Sequence, residues 1–173
     1  FINSISSLRL SPEDLEELDR LYGRYNSQVV IELTESEKMG EMATIHKRQR
    51  CIDQHQEIAL DDYGTGYNGE ATLLDLMPNY VKVDMSIIRG LDRDVNRREF
   101  YEGLVVYFRS RKIKILAEGV ETREEMEALI ECGTDYMQGF YFRKGELVPP
   151  EPCPEAMEAL RKAVERKKEK SLF

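Results

Sequence analysis

The stretch "IALDDYGTGYNGE" at residues 58–70 ends an apolar run in two adjacent aspartates, Asp61 and Asp62, and follows them with a loop of three glycines. Adjacent negative charges disfavour each other, so a solvated turn and a bound cation are the two readings open at this point. An Ile-Ala-Leu run stopped by turn residues reads as a strand. Further candidate strands lie at 1–3, 29–33, 80–84, 114–118 and 136–142, with the quoted run at 57–61. They are rich in Val, Ile, Leu and aromatic residues.

Between them the apolar spacing turns helical. "SPEDLEELDRLYGRY" opens on Ser11 as N-cap and Pro12 at the first helical position, with Leu15, Leu18, Leu21, Tyr22 and Tyr25 on one face. "TREEMEALIECG" pairs Thr122 with Glu125 as a capping box and stops at Gly133. Further helices are predicted over 38–50, 70–76, 94–111 and 154–168. The basic run "RKKEK" reads as a solvated terminus or a linker to another domain. Six successive strand–helix units predict a parallel sheet, either open and doubly wound or closed as a barrel.

The strand ends choose between these. Asn3 ends the first strand, Glu32 and Glu35 stand near the end of the second, and Asp61 and Asp62 end the third. Lys82 and Asp84 belong to the fourth, Glu118 and Glu121 to the fifth, and Gln138 to the sixth. One polar strand end is a cap or a turn former. Six in succession fit a closed β/α barrel, in which these ends converge on one face. An open sheet would use a single crevice and leave the outer ends without a role. The expected fold is therefore α/β, a TIM-like (β/α)8 barrel. With six strands and the first beginning at residue 1, it is expected to be N-terminally truncated to about six strand–helix units. Residues 1–150 form the barrel, and 151–173 the C-terminal helix and charged tail of the same domain.

Composition agrees with one globular domain: 173 residues, 41% hydrophobic and 34% charged. No apolar run approaches the roughly 18 residues of a membrane span, and no signal peptide is visible. The domain is expected in the cytoplasm, while a start at Phe1 leaves room upstream for a targeting or membrane-anchoring segment. The net charge of -8 argues against a nucleic-acid polymer as partner. Cys51, Cys132 and Cys153 show no metal-ligand spacing and read as reduced structural thiols. His46 and His55 are too few for a His-rich metal site.

The converging set Asn3, Glu32, Asp61 and Asp62, with Glu118 nearby, offers hard oxygen donors alone. Such donors suit Mg²⁺, Mn²⁺ or Ca²⁺ rather than zinc or copper. Paired aspartates can bridge two cations a few ångström apart, a geometry used to hydrolyse phosphodiesters. Lys82 would orient the attacking water or offset developing charge, and Glu118 would accept its proton or hold a metal. The glycine loop can bring backbone N–H groups near a phosphate, although such a loop by itself is more often a tight turn. There is no P-loop, no G-x-G-x-x-G and no Ser–His–Asp arrangement.

Five motifs in order, "IELTE", "DDYGTGY", "VKVD", "LAEGVE" and "MQGFYF", resemble the EAL family of bacterial cyclic di-GMP phosphodiesterases. The resemblance implies a TIM-like barrel that hydrolyses cyclic di-GMP to linear pGpG with Mg²⁺ or Mn²⁺ at a two-metal site. It implies Asn3, Glu32 and Asp61 as metal ligands, with Asp62 serving the second metal. It gives Lys82 the attacking water, Glu118 the role of catalytic base or metal ligand, and Gln138 a place near metals and water. Glu35 is implied as the anchor of the substrate loop Gly64, Thr65, Gly66 and Tyr67, and Asp84 and Glu121 as supports behind the ligands. The partners implied are cyclic di-GMP and an attached sensor or cyclase domain, with a homodimer left open. The Glu-Ala-Leu motif belongs upstream of "FIN", so the 173-residue fragment alone is expected to be inactive or nearly so. In the loop, Tyr63, Asn68, Gly69 and Glu70 depart from the family's usual Asp-Asp-Phe-Gly-Thr-Gly-Tyr-Ser-Ser-Leu. The alternative reading is a non-catalytic EAL-like module that binds cyclic di-GMP or a protein partner.

Overall fold

The computed structural model describes residues 1–3, 11–23, 28–34, 41–66, 69–145 and 151–171. It comprises two compact units, Phe1–Val81 and Lys82–Phe173.

The first unit holds strands β1 (Ile2–Asn3), β2 (Val30–Thr34), β3 (Glu57–Tyr63) and the start of β4 (Tyr80–Val83). They stand in the order β1-β2-β3-β4, and the β1–β2 and β2–β3 pairs are parallel. Parallel neighbours need crossover connections, which here contain helices α1 (Pro12–Tyr22), α2 (Glu41–Asp53) and α3 (Gly69–Leu76). Helix α1 begins as the sequence predicts, and more tightly. The Asp14 N–H donates to Ser11 Oγ at 3.1 Å while Asp14 Oδ2 accepts from the Ser11 N–H at 3.0 Å, a reciprocal capping box. Leu33, Ala59, Leu60, Leu76 and Val81 are buried in this unit. Asn79 ties β3 to the start of β4: its Oδ1 accepts from the Ile58 N–H and its N–H donates to the Ile58 carbonyl.

The second unit holds the end of β4, β5 (Lys114–Ala117) and β6 (Tyr136–Met137) in the order β4-β5-β6, with β5 and β6 parallel. Its helices are α4 (Met85–Ile88), α5 (Val95–Ser110), α6 (Arg123–Cys132) and α7 (Pro154–Lys170). Ile88, Tyr101, Phe108, Ile115, Met126 and Leu129 form its buried interior. Helix α4 has no counterpart in the sequence reading. Asp84, read there as the end of a strand, is its N-cap and accepts from the Ser86 N–H at 2.8 Å.

Two further expectations need correction. The sixth strand stops at Met137 instead of running to residue 142, because the chain turns at Gly139. The Tyr141 N–H donates to the Val120 carbonyl, and the Phe142 N–H turns back to Gly139. At α6 half of the predicted capping box forms: the Glu125 N–H donates to Thr122 Oγ1 at 3.1 Å. The Glu125 carboxylate instead accepts from the Glu121 N–H and from Arg89. The basic run near the C-terminus is largely exposed and continues α7 to Lys170, and three of its cations reach α6. Arg166 pairs with Glu127, Lys170 with Glu131, and Lys167 Nζ donates to the Ile130 carbonyl at 2.6 Å. That last contact sits at the C-terminal end of α6, where the helix dipole favours a cation.

The α6–α7 packing carries a pH dependence. Hydrogen bonds from Arg123 and Arg166 hold the Glu127 carboxyl below its usual 4.5, and Arg98 and then Lys170 lower that of Glu131. A carboxyl depressed by folding contributes stability above the unfolded value, and the contribution is lost as pH falls through the folded one. Thermal unfolding followed by circular dichroism is therefore expected to show stability falling below pH 4.5, and Glu127→Gln to flatten that fall. No helix among the described residues is long and apolar enough to cross a membrane.

Candidate active site

In the first unit the sheet register gathers the acidic set. Asn3 pairs with Glu32 across β1 and β2, and Thr34 pairs with Asp61 across β2 and β3. Residues paired in register face the same way, as do residues two apart along a strand. Glu32 and Thr34 are two apart, so Asn3, Glu32 and Asp61 share one face of this sheet. Glu32 and Asp61 are buried, at 6% and 8% exposure, and Asn3 is exposed.

Asp62 would face the opposite side if β3 continued regularly. It does not, because its φ is +57°, in the left-handed region that aspartate enters more readily than most residues. The Asp62 N–H donates to Asp61 Oδ1 at 3.0 Å, and carboxylate oxygens of the two residues lie within 4.8 Å of each other. Thr65 closes the turn by donating its N–H and its hydroxyl to the Asp62 carbonyl at 3.1 and 3.0 Å. Gly64, Thr65 and Gly66 of the expected substrate loop are exposed. Glu35 and Tyr67 lie outside the described residues.

In the second unit a different trio meets. Lys82 on β4 is buried at 7% exposure, and its Nζ lies 3.0 Å from Glu118 Oε1. Gln138 Nε2 donates to the same oxygen at 2.5 Å. Backbone bonds hold these positions. The Glu118 N–H donates to the Val83 carbonyl at 3.0 Å, the Gln138 N–H to the Ala117 carbonyl at 2.9 Å, and the Val120 N–H to the Gln138 carbonyl at 3.0 Å. A carboxylate that accepts from an ammonium and an amide is fixed in orientation and can take up a proton at a set place.

Asp84 and Glu121, expected behind the ligands, have observable contacts of their own. Asp84 caps α4, and Glu121 pairs with Arg89 at 3.0 Å. Arg89 and Glu125 are the polar residues that the sequence reading passed over. In the sequence Glu125 reads as part of a helix cap, and Arg89 belongs to no motif. Burial pushes the Cys51 thiol up, and that of Cys132 up to about 11, which favours the protonated form of each at neutral pH.

The EAL domain family matches residues 3–145 of the chain. The Escherichia coli (strain K12) protein named Probable cyclic di-GMP phosphodiesterase PdeG is 32% identical over 147 residues, covering 83% of this chain and 29% of the relative. A standalone versatile EAL protein from Vibrio cholerae O395, in a c-di-GMP bound form, superposes with a TM-score of 0.81 at 30% identity, covering 90% of this chain and 68% of that one. BlrP1 of Klebsiella pneumoniae, in a manganese/cy-diGMP complex, gives a TM-score of 0.75 at 29% identity, covering 88% of this chain and 38% of that one. The chain spans under a third of the length of the first curated relative it matches. Its strands and helices are those of the TIM-like barrel expected from the sequence, represented by six strand–helix units. With the family's match running over most of its length, the chain belongs to the EAL domain family.

Proposed function

We propose that the chain works in a metal-dependent phosphodiesterase that hydrolyses cyclic di-GMP to linear pGpG. The observation that carries this is the register that sets Asn3, Glu32 and Asp61 on one face, with Asp62 turned in beside Asp61. These donors are oxygens throughout, which fits Mg²⁺ or Mn²⁺ and not a thiophilic metal. Asn3, Glu32, Asp61 and Asp62 would hold the cations, which when bound would polarise the phosphoryl oxygens and make a bound water more acidic.

The other roles fall to the trio of the second unit. Lys82 orients the attacking water and offsets negative charge developing on the phosphoryl group. Glu118 accepts the water's proton, held in place by Gln138. The new P–O bond forms to the water oxygen as the bond to the 3′ oxygen of one ribose breaks. The leaving oxygen then takes a proton, giving a linear dinucleotide with a 5′ phosphate. The substrate is supported by the cyclic dinucleotide bound in the Vibrio and Klebsiella structures. Attached domains in the intact protein are supported by the greater length of this relative.

The metal assignment is tested by Asp61→Asn in the intact protein. Mn²⁺ affinity, measured by calorimetry, is expected to fall by about tenfold or more, as for loss of any group that supports a metal site. Equal Mn²⁺ binding by wild type and variant would sink the assignment. Cyclic di-GMP binding without any turnover would favour the non-catalytic module.

A further inference from the structure

We propose that Arg89 is a positioning residue, which fixes the turn 119–121 and through it the carboxylate of Glu118. The inference deepens the hydrolase reading and rests on it for the role of Glu118. Arg89 follows α4 directly as its C-cap residue. Its Nη1 donates to both carboxylate oxygens of Glu125, at 3.0 and 3.1 Å. Its Nη2 donates to the Gly119 carbonyl at 3.2 Å and lies 3.0 Å from Glu121 Oε1. Glu125 is 1% exposed, and its Oε2 also accepts from the Glu121 N–H at 3.1 Å. One planar guanidinium thus holds the carbonyl of the first residue of the turn and the side chain of the third. Through Glu125 it also supports the third residue's N–H.

The turn has little freedom to do anything else. Gly119 has φ +70°, and a Cβ there would meet the Met85 Cβ at 2.8 Å, so α4 packs directly on it. Immediately before it stands Glu118, which meets Lys82 and Gln138. A rotation of the turn would carry Glu118 away from both. The fork geometry matters, because a lysine keeps the charge but cannot span a carboxylate, a second carboxylate and a carbonyl in one plane. An ion pair that merely joined α4 to α6 would tolerate that exchange.

The test compares wild type, Arg89→Lys and Arg89→Gln. Backbone hydrogen exchange is measured at Val120 and Glu121, with Tyr101 and Val105 in α5 as references, together with the side-chain amide signals of Gln138. Turnover of cyclic di-GMP is measured on the intact protein. Both variants are expected to raise exchange at Val120 and Glu121 by about tenfold or more while the α5 amides hold, and to shift the Gln138 amide signals. They are expected to lower kcat by about 10- to 100-fold, as the loss of residues that orient a reacting group does, with KM nearly unchanged. Wild-type exchange at the turn in Arg89→Lys, or a rise spread evenly over α5 and α6, overturns the proposal. So does normal kcat in a variant whose turn exchanges freely. A wild-type protein without turnover would overturn the hydrolase reading instead, and the exchange and Gln138 signals would then decide the positioning role by themselves.

Discussion

Glu118→Gln is expected to lower kcat for cyclic di-GMP hydrolysis by about 10² to 10⁴-fold, the range for removal of a positioned proton acceptor. The substitution keeps the size of the side chain and its place after β5, since the Glu118 N–H bond to Val83 involves the backbone alone. What it removes is the negative charge that Lys82 approaches at 3.0 Å, while the amide oxygen that remains can still accept from Gln138. A neutral amide cannot take the water's proton. The loss should therefore fall on kcat, with KM moving little. Product formation followed by chromatography, with circular dichroism to confirm the fold, checks the expectation. Turnover within a few-fold of wild type would remove Glu118 from the chemistry.

The largest expected effect on stability is at Gly139. A Cβ built there would lie 2.1 Å from the Val120 carbonyl oxygen and 2.2 Å from the Val120 nitrogen. Neither is a movable side-chain end. The two backbones would have to part, losing the Val120 N–H bond to Gln138 and the Tyr141 N–H bond to Val120. Overpacking of this kind with the attendant hydrogen bonds sums to about 3 kcal/mol or more. Gly139→Ala is thus expected to unfold the chain at markedly lower denaturant, and to disturb Gln138 beside it. Gly103 makes the contrast. It stands inside α5 with nothing within 4 Å of a built Cβ. Gly103→Ala is therefore expected to stabilise by about 0.5–1 kcal/mol. Chemical denaturation of both variants separates close approach from helix propensity, and equal effects would refute the assignment of Gly139.

Much of this is legible in the sequence. Strands β2 to β5 fall within one or two residues of their expected places, because buried apolar runs bounded by turn residues are a local signal. The helix starts at Ser11 and Thr122 were legible for the same reason, since a cap is written in the three or four residues beside it. Helix ends were harder. Gly133 announces its left-handed turn, but His55, Met77 and Lys112 also adopt positive φ, at 57°, 44° and 60°, and nothing in those side chains foretells it. The aromatic run after Gln138 looked like more strand. What stops it is the approach of Val120 to Gly139, a contact between residues 19 apart.

The site divides in the same way. The polar strand ends could be picked out singly, and the register then sets Asn3, Glu32 and Asp61 on one face. That Asp62 joins Asp61, instead of facing away as strand alternation demands, depends on one dihedral angle that the sequence does not display. Arg89 was invisible for a different reason. Its partners Gly119, Glu121 and Glu125 lie some 30 to 36 positions along the chain, and only folding brings them to one guanidinium.

The most direct measurement is the fate of cyclic di-GMP incubated with the intact protein, followed by separation of cyclic and linear products, with Mg²⁺ or Mn²⁺ present and after chelation. Linear pGpG is expected to accumulate with the cation and to stop accumulating once it is removed. Cyclic di-GMP bound tightly yet recovered unchanged in the presence of either cation would contradict a hydrolytic role.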